Sequence, residues 1–332
     1  VNAAHVAAHP GSFLQAAQEL RHLWSELQPQ NVFASDAPSI VWTAARAGMR
    51  LISGGFMPAP QLRGLLDTKP LRSHLEESLA AIDGVLTGIE ANLAREKLKA
   101  VAIVATSYTT GQSIVWVQGK NIEPWTRPQR VTMQTQITVD HVMASAALPI
   151  FFPAVRIGNA WYGDGGVRLA APLSPALHLG ANRIIAVSTR YARTLKEAET
   201  GAIREYPPPA QILGIVMNAV FLDLIDQDAQ RMQRINRLIE EVPPEKRNGM
   251  RPVKLLVIRP SRDLGRLAAA YEPRLPVAFK FMTRGLGTKQ TRSPDILSML
   301  MFQKDYLTRL IEIGEADAES RADEIEEFLA SE

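Results

Sequence analysis

The chain has 332 residues and a mass of 36.6 kDa, with 46% hydrophobic and 21% charged residues, the make-up of a folded globular protein. It contains no cysteine, which excludes disulfides, a thiolate nucleophile and any Cys-bearing zinc or iron–sulfur site. The formal charge of +3 is unevenly spread. Glu312 to Glu332 holds nine acids against Arg321, whereas Pro273 to Pro294 holds Arg274, Lys280, Arg284, Lys289 and Arg292 and no acid. Internal pairing of the basic stretch with the acidic tail is the simplest reading, and an anionic lipid surface is the alternative. A nucleic-acid partner is disfavoured, because the basic stretch carries no reader motif.

Taken in chain order, the first part of the sequence is mostly helical. Val1 to His9 is Ala-rich and stops at Pro10-Gly11. Ser12 is a helix N-cap, followed by Phe13, Ala16, Ala17, Leu20, Leu23, Trp24 and Leu27 at helical spacing. Asp36 can cap a further helix, Ser53-Gly54-Gly55 and Met57 to Pro60 are loop, and Leu71 to Leu79 and Ile82 to Lys97 supply two more helices.

Strands follow. Ala100 to Thr106 is a continuous apolar run, as a strand buried on both faces requires, and Thr109-Thr110-Gly111-Gln112 turns it into an antiparallel neighbour, Ser113 to Gln118. Arg183 to Ser188 and Val253 to Ile258 are two further buried-type strands. Gln211 to Glu241 reads as a long helix, apolar in its first half. That half is either a core helix or, through Val220 and Phe221, the border of an acyl-chain tunnel or a lipid contact. Its longest nearly apolar run, Ile212 to Leu222, covers 11 residues, fewer than the roughly 20 that span a bilayer. The N-terminus lacks the basic-then-apolar order of a signal peptide, so a cytoplasmic protein with room for peripheral membrane contact is expected. Helices alternating with buried strands predict an α/β layered fold.

The chemistry concentrates between His141 and Gly180, centred on Gly163-Asp164-Gly165-Gly166. One carboxylate sits among three glycines just after Trp161-Tyr162, and bare backbone lets a reactant approach closely. Taken alone, the tetrapeptide is equally an Asp-Gly turn between strands. Ser145 has no glycine beside it to form a strained elbow and reads as structural. His5 and His9 share a helical face but lack the Glu of a metalloprotease signature. His141 and His178 flank the Asp turn, yet nothing supplies a serine for a Ser–His–Asp triad. No metal or cofactor is called for.

The surrounding strings resemble those of the bacterial patatin-like phospholipases. Ser145 to Pro153 follows a Ser-x-Ala-x-Pro-x-x-Phe-x-Pro-type pattern, and the Asp-Gly-Gly then leads through Ala171-Pro172-Leu173-Ser174-Pro175 to Gly180-Ala181. Thr106 to Gly111 looks like the family's strand-end Thr-x-x-x-x-Gly element. The resemblance implies a three-layer α/β/α fold with a central mixed, mainly parallel sheet and a helical C-terminal extension. It places a patatin-like domain in residues 1–190 and the remaining strand and helices, on the same core, in 191–332. It implies a lipid acyl hydrolase working by a Ser–Asp dyad, with Asp164 as general base and Gly163, Gly165 and Gly166 shaping its turn. The substrate would be a lipid ester.

No Gly-x-Ser-x-Gly occurs in the 332 residues, and Val1-Asn2-Ala3-Ala4 resembles the family's continuation of that elbow. The expectation is a sequence that begins just past the nucleophile, without the oxyanion loop and the strands leading into it, and inactive as it stands. The alternative is a catalytically silent relative that binds lipid or a partner protein.

Overall fold

The computed structural model of the protein describes residues 1–34, 64–192, 194, 197, 209–221, 223–275 and 295–330. The expected helix at Asp36, the loops at 53–60 and nearly all of the basic stretch lie outside them. The chain divides into two compact units, one built mainly from Val1–Arg168 and the other mainly from Leu169–Tyr271 with Arg309–Glu332.

The first unit opens with α1 (Asn2–Ala8) and α2 (Phe13–Glu26). Ser12 caps α2 as expected: its hydroxyl accepts from the Gln15 N–H, and the Gln15 side chain accepts from the Ser12 N–H. After α3 (Pro29–Val32) come α4 (Lys69–Ser78) and α5 (Thr87–Ala94). α5 is shorter than its apolar pattern predicts. Asp83 and Gly84 both adopt positive φ (50° and 77°), and Ile82 and Val85 exchange two backbone hydrogen bonds around them. This is a two-residue turn of the kind that Asp-Gly favours, and it delays the helix start.

β1 (Ala100–Ser107) and β2 (Ser113–Gly119) form the expected antiparallel hairpin. β3 (Thr126–Arg127), β4 (Arg130–Gln134), β5 (Val155–Ile157) and β6 (Ala160–Asp164) complete a six-stranded sheet in the order β3-β4-β2-β1-β6-β5. β2 is buried on both faces, with Ile114 and Trp116 on one side and Val115 and Val117 on the other, as an inner strand of a layered α/β fold requires. Between β4 and β5 runs α6 (Val139–Ser145). Ala4, Leu75, Ile89, Ile103, Trp116 and Val142, from α1, α4, α5, β1, β2 and α6, share one apolar cluster on one sheet face.

In the second unit, β7 (Arg183–Val187) and β8 (Lys254–Ile258) pair in parallel over five register positions. The unit also holds α7 (Ser174–His178), α8 (Pro209–Phe221) and α9 (Asp223–Glu241). Ala229 and Met232 of α9 pack in one cluster with Ile184 and Ala186. C-terminal helices follow at Leu264–Tyr271, Asp295–Leu300, Lys304–Glu319 and Ala322–Ala330. On α8 the exposed apolar residues are Ile212, Ile215 and Val216, while Val220 and Phe221 are half-buried. The exposed residues lie at the N-terminal end of the apolar run that the sequence offers for a lipid contact.

The class is the expected α/β with a mixed central sheet and C-terminal helices. Among the described strands the parallel pairs are β2–β4 and β7–β8, and the other four pairings are antiparallel. The mixture thus leans antiparallel where a mainly parallel sheet is expected. For three of these four the reason is local: short connections join β1 to β2, β3 to β4 and β5 to β6, and a short connection permits only antiparallel pairing. No described helix is long and apolar enough to cross a membrane.

Candidate active site

Asp164 is the last residue of β6, and its main chain is tied down on both sides. Its N–H donates to the Ala147 carbonyl just past α6 (3.1 Å), and its carbonyl accepts from the Thr106 hydroxyl on β1 (2.8 Å). The ladder below fixes the register, with Ala105 opposite Asp164, Thr106 opposite Gly163 and Ser107 opposite Tyr162. The glycines after it form a single 3₁₀ turn, Gly165–Val167, with Asp164 as its cap. One carboxylate oxygen, Oδ1, accepts from the Gly166 N–H (2.8 Å), and no donor among the described residues reaches Oδ2.

The glycines have different roles. At Gly165 a Cβ would fall 2.5 Å from the Val104 carbonyl oxygen and 2.7 Å from its carbon, so the turn can pass over β1 only without a side chain. Gly166 acts through its N–H. Gly163 leaves a bare surface, as the sequence suggests, but that surface is taken by the Tyr108 ring: a Cβ there would lie 2.2 Å from the phenol oxygen.

The electrostatics favour a proton acceptor. Burial pushes the Asp164 carboxyl from the usual 3.8 up to about 6, and the Gly166 N–H and the Val1 amino group offset only part of that rise. Burial in turn lowers the Val1 amino group, against the pull of the Asp164 charge. The start of α1 therefore lies within electrostatic reach of this carboxylate. A carboxylate of raised basicity, with no donor among the described residues at one oxygen, can take a proton from a hydroxyl placed beside it.

The histidines are elsewhere. His141 is buried at the start of α6, where its Nδ1 accepts from the Thr138 N–H (3.0 Å) and its ring meets Trp116 edge-on at 4.5 Å. Trp116 also stacks edge-on against Tyr162 (5.0 Å), which makes His141 part of the core under β6. His178 lies in the second unit, its Nδ1 2.8 Å from the Ser174 carbonyl oxygen. Ser145 is the last residue of α6. His5 and His9 stand 5.6 Å apart, ring to ring, with His9 Nε2 3.0 Å from Glu19. Among the described residues no three His, Asp or Glu side chains group to hold a metal ion.

Sequence reading singles out Asp164, sets Val1 to Ala4 beside the elbow and Thr106 to Gly111 in the family's strand-end element, but assigns no role to the Thr106 hydroxyl or the Tyr108 ring. Thr106 and Tyr108 flank the C-terminal end of a buried strand, where open α/β sheets place their ligand sites, and that position is the signal for them.

A carboxylate raised in basicity at a strand end of a layered α/β sheet is suited to acid–base chemistry. The sequence model of the patatin-like phospholipases matches residues 2–177, and the chain belongs to that family. Its class is accordingly that of a lipid acyl hydrolase, acting on lipid. No match to an individual curated protein is found.

Proposed function

We propose that the protein hydrolyses ester bonds of phospholipids or related lipids through a Ser–Asp dyad in which Asp164 is the general base. The observation that carries this reading is the Asp164 carboxyl itself: hydrogen-bonded at its main chain, raised to about 6, and without a donor at Oδ2 among the described residues. Near neutral pH it is ionised and more basic than an ordinary carboxylate, so it can accept the serine proton as the ester carbonyl is attacked. It then returns that proton to the departing alcohol. The glycines at 163, 165 and 166 hold the turn that presents it.

Within the 332 residues no Gly-x-Ser-x-Gly elbow is present. The serine of the dyad is therefore one that these residues do not supply. On this reading the 332 residues alone are silent, and a polypeptide that carries them together with the elbow is active. The test is ester turnover by that polypeptide, with Asp164→Asn as the control. Full activity in that variant removes Asp164 from the chemistry.

The exposed stripe of Ile212, Ile215 and Val216 on α8 supports peripheral contact with a lipid surface. Serine at these three positions should leave folding intact and reduce flotation with anionic vesicles. Unchanged flotation rejects the contact.

A further inference from the structure

Resting on the reading of Asp164 as the base, we propose that Tyr108 contacts the substrate: its phenol, laid over Gly163, donates a hydrogen bond to the leaving-group oxygen of the bound ester. Three observations place it there. Its backbone is locked to β6, since the Tyr108 N–H donates to the Trp161 carbonyl at 2.8 Å. Its ring lies on the Gly163 Cα, one residue from the base: a Cβ at Gly163 would meet the hydroxyl oxygen at 2.2 Å and two ring carbons at 2.4 and 2.6 Å. Its hydroxyl has no protein partner among the described residues, and the residue is 46% exposed. A tyrosine that serves only packing buries its ring and ties its hydroxyl to a partner. Tyr108 instead offers a free O–H donor at the rim of the site.

The electrostatics are consistent with a donor. Partial burial, and after it the charge of Asp164, raise the Tyr108 phenol above its ordinary value, so it keeps its proton at neutral and mildly alkaline pH.

The step balances without any net transfer from tyrosine. The nucleophile's oxygen forms a bond to the acyl carbon, and its proton passes to Asp164. The bond between acyl carbon and alcohol oxygen then breaks, and Asp164 delivers the proton to that oxygen. Tyr108 donates a hydrogen bond to the same oxygen while negative charge builds on it, and retains its own proton. Such help matters for a poor leaving group, such as the aliphatic alcohol of a glycerol ester. It matters little for a nitrophenolate, which departs unaided.

The experiment uses the full-length protein and two substrates of equal acyl chain, a glycerol ester and a p-nitrophenyl ester. Tyr108→Phe should lower kcat about tenfold on the glycerol ester and less than about twofold on the p-nitrophenyl ester, with KM nearly unchanged and an unaltered melting curve. An equal loss on both esters, or none, overturns the role of Tyr108 while leaving Asp164 in place. An inactive wild type, or full activity in Asp164→Asn, overturns the reading of Asp164 and this inference with it.

Discussion

The Thr106 hydroxyl donates to the Asp164 carbonyl oxygen at 2.8 Å, joining two residues 58 positions apart. Thr106 is buried, so the bond is shielded from water, and it fixes the main chain of the one carboxylate on which the chemistry depends. Thr106→Val keeps the shape and removes the donor. It should cost about 1 kcal/mol in denaturant-induced unfolding. Turnover should fall about tenfold or more, because a base displaced by a fraction of an ångström is a poor one. Steady-state kinetics beside a urea titration separate the two effects.

The pH dependence follows from the raised carboxyl. Activity should be low where Asp164 is protonated, rise with half-maximum near pH 6, and stay level above it until another group titrates. A kcat/KM profile between pH 4.5 and 8 checks this. A plateau that already begins at pH 4.5 would show a carboxylate of ordinary basicity.

The same carboxyl is a stability cost. Its folded-state value lies above the unfolded one, so the folded state binds the proton more tightly, and this stabilising contribution is lost as pH rises from about 4 through about 6. Above pH 6 the desolvated charge should cost about 3 kcal/mol. Asp164→Asn should therefore abolish turnover yet raise the melting temperature at pH 7.5, with the gain vanishing near pH 4. Melting curves at the two pH values are the measurement.

Gly165→Ala should be costly for a different reason. The new methyl would press on the Val104 carbonyl group, which is backbone and cannot rotate away. About 1–3 kcal/mol of stability should be lost, together with most activity, as the turn lifts off β1. The unfolding midpoint of the variant tests this.

The sequence displays some strands and hides others. β1, β2, β7 and β8 are legible because each is an unbroken apolar run. β5 and β6 are not, since Val155-Arg156-Ile157 and Ala160-Trp161 are too short for a period of two to stand out. The start of α5 is misjudged because Ile82 and Val85 continue its apolar pattern, although Asp83-Gly84 between them is itself a turn signal. At the site, Asp164 stands out through its glycines and the family strings around it. The Thr106 bond and the ring of Tyr108 on Gly163 depend on strand register and chain packing across more than fifty residues. No local pattern encodes them.

The ladder that carries Asp164 has three rungs, Ala105–Asp164, Thr106–Gly163 and Ser107–Tyr162, against seven in the neighbouring β1–β2 hairpin. A span so brief can fray while the hairpin beside it stays zipped. Warming should therefore silence the protein before it melts, and amide deuteration should reach Tyr162 and Asp164 well ahead of Val115 and Val117. The fold's most exacting atoms hang on one of its short seams.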